Sequence, residues 1–255
     1  MTTMTTYVHD FATYLDEYLR VAEVADSAEA LNGLQVDHDE ALTRMAVAVD
    51  ACQATIDAAA DIGADLLLVH HGLFWGGLQP LTGRHGKRIR RLMEAGIALY
   101  SAHIPLDLHP EVGNNAVLAN ELGLTSKESF GDYKGEKIGV VGSLPIALEE
   151  LAERISNLVG GAPRTIAFGP DMASRIGIIT GGGGDMMAQA RDAGADTFIT
   201  GEGPHHTYFD AEEWGLNVIF AGHYATETVG VKALAAHLSD KFDLPWEFID
   251  HPTGM

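Results

Sequence analysis

Short apolar runs punctuate the chain, separated by stretches with helical patterning. Residues 66–69 are four aliphatics with no polar alternation, the pattern of a strand covered on both faces. The run ends in His70-His71-Gly72, where a strand would pass into a loop. Residues 45–49, 176–180 and 197–200 read as further strands, and helices are expected at 7–21, 114–122, 146–158 and 227–238. Strands alternating with helical stretches point to mainly parallel sheets with helices packed on them.

The pattern is written twice. At a constant offset of 131 residues, Gly63-Ala64-Asp65 is echoed by Gly194-Ala195-Asp196, Asp61 by Asp192, Ala59 by Ala190, Arg44 by Arg175 and Gly72 by Gly203. Each copy reads as a strand, a helix ending at the glycine, and a second strand. With a one-residue slip, 96–103 resembles 215–223. Each of these segments ends in a histidine with a carboxylate four residues on, Asp107 after His103 and Glu227 after His223. The expected fold class is therefore α/β, two similar α/β domains from an internal duplication, about 1–124 and 125–255. The stretch 132–137 is the expected linker or turn.

Composition narrows the classes. A chain of 255 residues with 46% hydrophobic positions can hold two domains, each with its own core. No apolar run approaches the roughly 20 residues that cross a bilayer, and residues 1–19 carry no Lys or Arg, unlike a signal or transit peptide. A cytoplasmic protein without membrane attachment is expected. The single Cys52 excludes an internal disulfide and a cysteine-based zinc site, so any metal must use His and carboxylate ligands. A formal charge of −20 repels phosphate backbones and argues against general nucleic-acid binding. Such an acid-rich, lysine-poor surface also suits a high-salt habitat.

Candidate chemistry gathers where strands end, the place an α/β fold reserves for ligands. His70 and His71 stand at one strand end, Asp107 beyond another, His223 and Glu227 beyond a third. If strand geometry persists through His70 and His71, their rings diverge, which favours two metals over one. His223 and Glu227 share a helix face if the helix begins by His223. Pro105 makes the His103-to-Asp107 segment an expected loop. Imidazoles with carboxylates suit zinc, manganese, iron or nickel, and five ligands fit two ions sharing a bridging carboxylate and a water. Gly181–Gly184 follow a strand, where backbone amides can cradle an anion, but the stretch lacks the Lys of a phosphate-binding loop and a tight turn is the favoured reading. His205 and His206 have no assigned role, and the basic stretch Arg84, Lys87, Arg88, Arg90, Arg91 reads as a solvated helix face.

"VHHG" after a strand, "SAHIPLDLHPEVGNNAVLA" and "AGHYATETVGVKALA", with "NGLQV" from Asn32 and "GADTFITGEGPHH", resemble blocks of the Nif-three-like family, often labelled GTP cyclohydrolase I type 2. The resemblance spans essentially the whole chain. It implies that His70, His71, Asp107, His223 and Glu227 ligate a dinuclear centre of two divalent metal ions per chain. It also implies a homohexameric ring with the sites facing its cavity. The activity implied is a metal-dependent hydrolase acting on a nucleotide or related anionic small molecule, by attack of hydroxide on the purine C8 of GTP. His103, outside that ligand set, is the catalytic candidate as proton carrier. A non-enzymatic metal carrier, metallochaperone or regulatory partner would use the same ligands.

Overall fold

Two sheets carry the duplicated pattern in a computed structural model that describes residues 5–255; of the expected first domain, residues 1–4 lie outside the described residues. The chain begins α1 (Val8–Tyr18), β1 (Gly33–Val36), β2 (Met45–Asp50), α2 (Gln53–Asp61), β3 (Leu66–His71), α3 (Gly83–Ala95) and β4 (Ala98–Ser101). It continues through α4 (Ile104–Asp107), α5 (Asn114–Leu122), β5 (Thr125–Tyr133), β6 (Glu136–Ala147), α6 (Leu148–Val159), β7 (Arg164–Ala167) and β8 (Met172–Ile179). A 3-10 turn at Gly183–Met186 then leads to α7 (Met187–Asp192), β9 (Thr197–Thr200), α8 (Thr207–Trp214), β10 (Asn217–Phe220), α9 (His223–Phe242) and β11 (Trp246–Phe248).

The first sheet has the order β1-β4-β3-β2-β11, with every pairing parallel except β1 with β4. Leu67 and Val69 of β3 pack with Ala46 and Ala48 of β2 against Ile56 and Ala59 of α2 and Leu92 of α3. Leu66 and Leu68, on the opposite face, are equally buried, so β3 is covered on both sides as its unbroken apolar run predicts. Each such leucine contributes on the order of 1.5–3 kcal/mol of burial.

The second sheet has the order β5-β6-β8-β9-β10-β7. Its central β8, β9 and β10 are parallel, but β5 with β6, β6 with β8, and β7 with β10 are antiparallel. The expectation of mainly parallel sheets fails here: β6 and β7 run against the central three, and the 132–137 stretch, expected as a linker or turn, is the turn that joins antiparallel β5 and β6. It is a hairpin turn with Lys134 at φ 53 and Gly135 at φ 91, two consecutive left-handed residues that reverse the chain tightly. The core beneath holds Ile176, Ile178, Ile199 and Ile219 of the strands with Leu118, Leu122, Leu151 and Ile155 of α5 and α6.

The repeat is visible as a structural joint. β2 pairs β3 with Met45 opposite Leu66, and β8 pairs β9 with Ile176 opposite Thr197, the same register at the 131-residue offset. Gly63 (φ 68) and Gly194 (φ 82) turn the chain out of α2 and α7. The next acid in each copy then accepts from the start of the preceding strand: Asp65 from Thr43 N and Arg44 N, Asp196 from Ser174 N and Arg175 N. By compactness the chain groups as Met1–Leu106 with Val231–His251, and Asp107–Gly230 with Pro252–Met255. The duplication follows chain order, whereas this grouping follows packing; the later turns of α9 and β11 complete the first unit. Among the described residues no helix is long and apolar enough to cross a membrane.

Candidate metal centre

In the first unit three imidazoles converge. Strand β3 persists through His71, which pairs with Asp50 of β2. His70 is fully buried, with Nδ1 2.8 Å from the carbonyl oxygen of Ala102 just after β4. His71 Nδ1 lies 2.9 Å from Asp50 Oδ1, and His103 Nδ1 lies 2.9 Å from Asp26 Oδ1. A carbonyl and an ionised carboxylate only accept, so each ring donates from Nδ1, and a neutral imidazole so held presents its Nε2 lone pair. One ligating nitrogen from each histidine lies within 4.8 Å of the others, a group able to hold a metal ion. Ring centroids are 4.7 Å apart for His70 and His71, and 5.0 and 5.5 Å from these to His103.

The expected divergence of His70 and His71 is therefore not found. Their Cβ atoms leave opposite faces, but both residues sit at the strand's last two positions. There the rings can fold over the sheet end toward their oxygen tethers.

Asp26 anchors the His103 side of this group. Its side chain is 6% exposed and accepts from Ser27 N, Asn32 Nδ2 and Ile104 N as well as from His103. Burial alone would raise its pKa. The hydrogen bond and charge of His103, with the bonds from Asn32 and Ser27, outweigh that and lower it to about 2. Asn32 also accepts from His103 N at 2.7 Å, fixing backbone and ring together.

The second unit is built on one helix turn. α9 begins at His223, as the shared face with Glu227 required, and His223 Nε2 lies 3.2 Å from Glu227 Oε1. His223 Nδ1 is tethered to Glu202 Oε1 at 2.8 Å. The hydrogen bond to Glu227 outweighs burial and raises the His223 pKa to about 9. Glycines wall the pair. Gly181 has φ +63, and a Cβ there would fall 2.1 Å from Glu227 Oε1; at Gly201 it would fall 2.7 Å from His223 Cα. Gly181 N donates to Thr226 Oγ1 and Gly184 N to the Glu202 carbonyl, so these two amides of the glycine loop serve a tight turn.

Asp107, 8% exposed, accepts from Asn114 Nδ2 at 2.8 Å, and Asn114 Oδ1 in turn accepts from Gly230 N of α9. It closes α4, a single helical turn rather than the expected loop. Pro105 stands at the second position of that turn, where its missing N–H removes no intrahelical bond.

The sequence did not single out the tethers Asp50, Asp26, Asn32, Glu202 and Asn114 as such. One carried a signal, since the repeat offset places Glu202 where the first copy has His71. His206 is exposed, with Nε2 3.6 Å from Asp185 and 4.0 Å from Asp210, and His205 packs its ring against Phe209. Neither belongs to a group of three ligating side chains among the described residues.

Residues 6–253 match the model of the Duf34/NIF3 (NGG1p interacting factor 3) family. A Deinococcus radiodurans protein named GTP cyclohydrolase 1 type 2 homolog is 48% identical, over 96% of this chain and 94% of that one. A Halobacterium salinarum protein of the same name is 44% identical, over 97% and 99%. The crystal structure of a Thermus thermophilus protein superposes with TM-score 0.89 at 43% identity, covering 98% of this chain and all of that one. The chain belongs to the Duf34/NIF3 family.

Proposed function

We propose that this Duf34/NIF3 chain binds two divalent metal ions through His70, His71, Asp107, His223 and Glu227 and uses them to hydrolyse an anionic small molecule. The observation that carries the reading is the common tether. His70, His71 and His223, like His103, each donate from Nδ1 to an oxygen acceptor, the outer-shell arrangement that orients metal-ligating imidazoles. Nitrogen and carboxylate donors of this kind suit zinc, manganese, iron or nickel. Bound ions would supply Lewis acidity and lower the pKa of water at neutral pH.

The chain's own residues do the rest. Asn114 holds the Asp107 carboxylate by a hydrogen bond to Oδ1, and Gly181 leaves room for the Glu227 carboxylate. Asp26 fixes the Nδ1 proton of His103, so His103 takes up a proton at Nε2 and returns it to the leaving group. The name shared by the relatives supports a nucleotide such as GTP as substrate. Six such chains would form a ring, which light scattering across a salt series tests: a monomer at high salt contradicts it.

Elemental analysis after reconstitution in excess metal is expected to find close to two ions per chain; one or none overturns the dinuclear reading. Asp107→Asn and His223→Ala should lower that content with the melting temperature preserved. His103→Ala should keep the metal and slow turnover about 10²-fold or more. Metal lost in that variant would make His103 a ligand instead. Full metal content with no turnover across a nucleotide screen would make the protein a metal carrier.

A further inference from the structure

We propose that Trp75 is the specificity-determining surface of this site, presenting its indole to a planar nitrogen heterocycle such as a purine ring. The proposal rests on the metal-centre reading for its setting and adds the residue that recognises the ring of the substrate. Its basis is the local build of the turn after β3. Gly72 is buried, and a Cβ there would fall 2.2 Å from Gln35 Nε2. Leu73 is buried in the core and donates its N–H to Gln35 Oε1 at 2.8 Å, while Phe74 packs on the same core. The turn is thereby fixed, and Trp75 is the first aromatic side chain it turns toward the histidines instead of the core.

The Trp75 ring centroid lies 5.8 Å from that of His71, at an interplanar angle of 62°, and 5.1 Å from that of His103, at 80°. Neither contact is a parallel stack. The one polar atom of the indole, Nε1, donates to the Gly72 carbonyl at 3.0 Å, so the ring has no hydrogen-bonding task left for a ligand. Yet it is half-buried beside two polar rings. The next residues, Gly76 and Gly77, bring no side chains, and a Cβ at either would meet nothing within 4 Å. Leu78 after them is fully exposed. An aromatic surface with open space beside it, next to metal-ligating nitrogens, matches a flat heteroaromatic ring. Against a ligand that is only a phosphate chain it would contribute nothing. Stacking of a base on one aromatic side chain strengthens binding by about tenfold or more.

The test uses the zinc-loaded full-length protein and two probes that share a phosphate chain, GTP and inorganic triphosphate, titrated calorimetrically. GTP should bind about tenfold more tightly. Trp75→Leu should abolish that preference while triphosphate affinity and zinc content stay unchanged, and Trp75→Phe should keep most of it. Equal affinity in the unsubstituted protein, binding of neither probe, or an equal loss for both probes in Trp75→Leu overturns the proposal.

A second measurement does not depend on either variant keeping metal. Guanosine should quench indole emission of the metal-free and metal-loaded protein, and the quench should vanish in Trp75→Phe, where Trp214 and Trp246 still emit. Absence of quenching in the unsubstituted chain also overturns it. Zinc content below two ions per chain would count against the metal reading alone, because the guanosine quench is read without metal.

Discussion

The two copies of the strand–helix–strand unit share their scaffold and part company at the strand ends. The Gly-Ala-Asp joint is the same in both: a left-handed glycine closes the helix, and the aspartate caps the preceding strand. Past the joint, the 131-residue offset carries Asp50 onto Gly181, His70 onto Gly201 and His71 onto Glu202. Where the first copy places imidazoles and an acid, the second places glycines and an acid. The glycines make room for the first turn of α9, which brings the His223–Glu227 pair there instead. A duplicated scaffold thus keeps the residues that hold backbone together and is free to change those that end in open space.

Substituting one left-handed glycine from each copy should break this comparison most forcefully. Gly181→Ala combines a left-handed φ with a Cβ 2.1 Å from the Glu227 carboxylate, whereas Gly63→Ala has the same kind of φ with nothing within 4 Å. Urea denaturation should show a loss of about 2–5 kcal/mol for the first, from backbone strain plus overpacking. The second should lose only about 1–2 kcal/mol, from strain. Equal losses would mean that the glycine wall has no special fit to the carboxylate.

Removing the tethers compares the two regions next. Asp50→Ala frees Nδ1 of His71 and Glu202→Ala frees Nδ1 of His223, and each should weaken metal affinity roughly 10–100-fold with the fold intact. Competition with a chelator reads this directly, and unchanged affinity in either variant would show that region's histidine to be held in place without its acid.

Acid stability should distinguish them further. Asp26 is depressed from 3.8 to about 2, so it contributes stability that is full above about pH 4 and is lost as pH falls through about 2. That contribution is about 2 kcal/mol, and Asp26→Asn should flatten this part of the pH profile of unfolding.

His223 carries the opposite sign. In the metal-free chain its pKa is raised to about 9, so the stability from its pair with Glu227 is present below about pH 6.5 and is lost as pH rises through about 9. An NMR titration of the imidazole protons should find that midpoint, and Glu227→Gln should move it down toward 6.5.

Local regularity made much of this legible from the chain alone. The buried strand ending at His70-His71, the two helix-closing glycines and the His223–Glu227 pair depend on neighbours within one element, where a period of two or a spacing of four fixes direction. The convergence of His70, His71 and His103, and the acids that hold them, depended on tertiary structure. Asp50 lies 21 residues from His71, Asp26 lies 77 from His103, and Glu202 lies 21 from His223. An imidazole's orientation is set by whichever oxygen the folded chain brings to Nδ1, and no local pattern specifies that oxygen. The turn at Lys134-Gly135 was legible as a linker or turn, but the antiparallel pairing of β5 with β6, of β6 with β8 and of β7 with β10, which makes the second sheet mixed, was decided by the folded chain. Pro105 shows the limit of a residue rule, since proline ends a helix only where the turn needs its N–H, and only the folded chain decides where a turn begins.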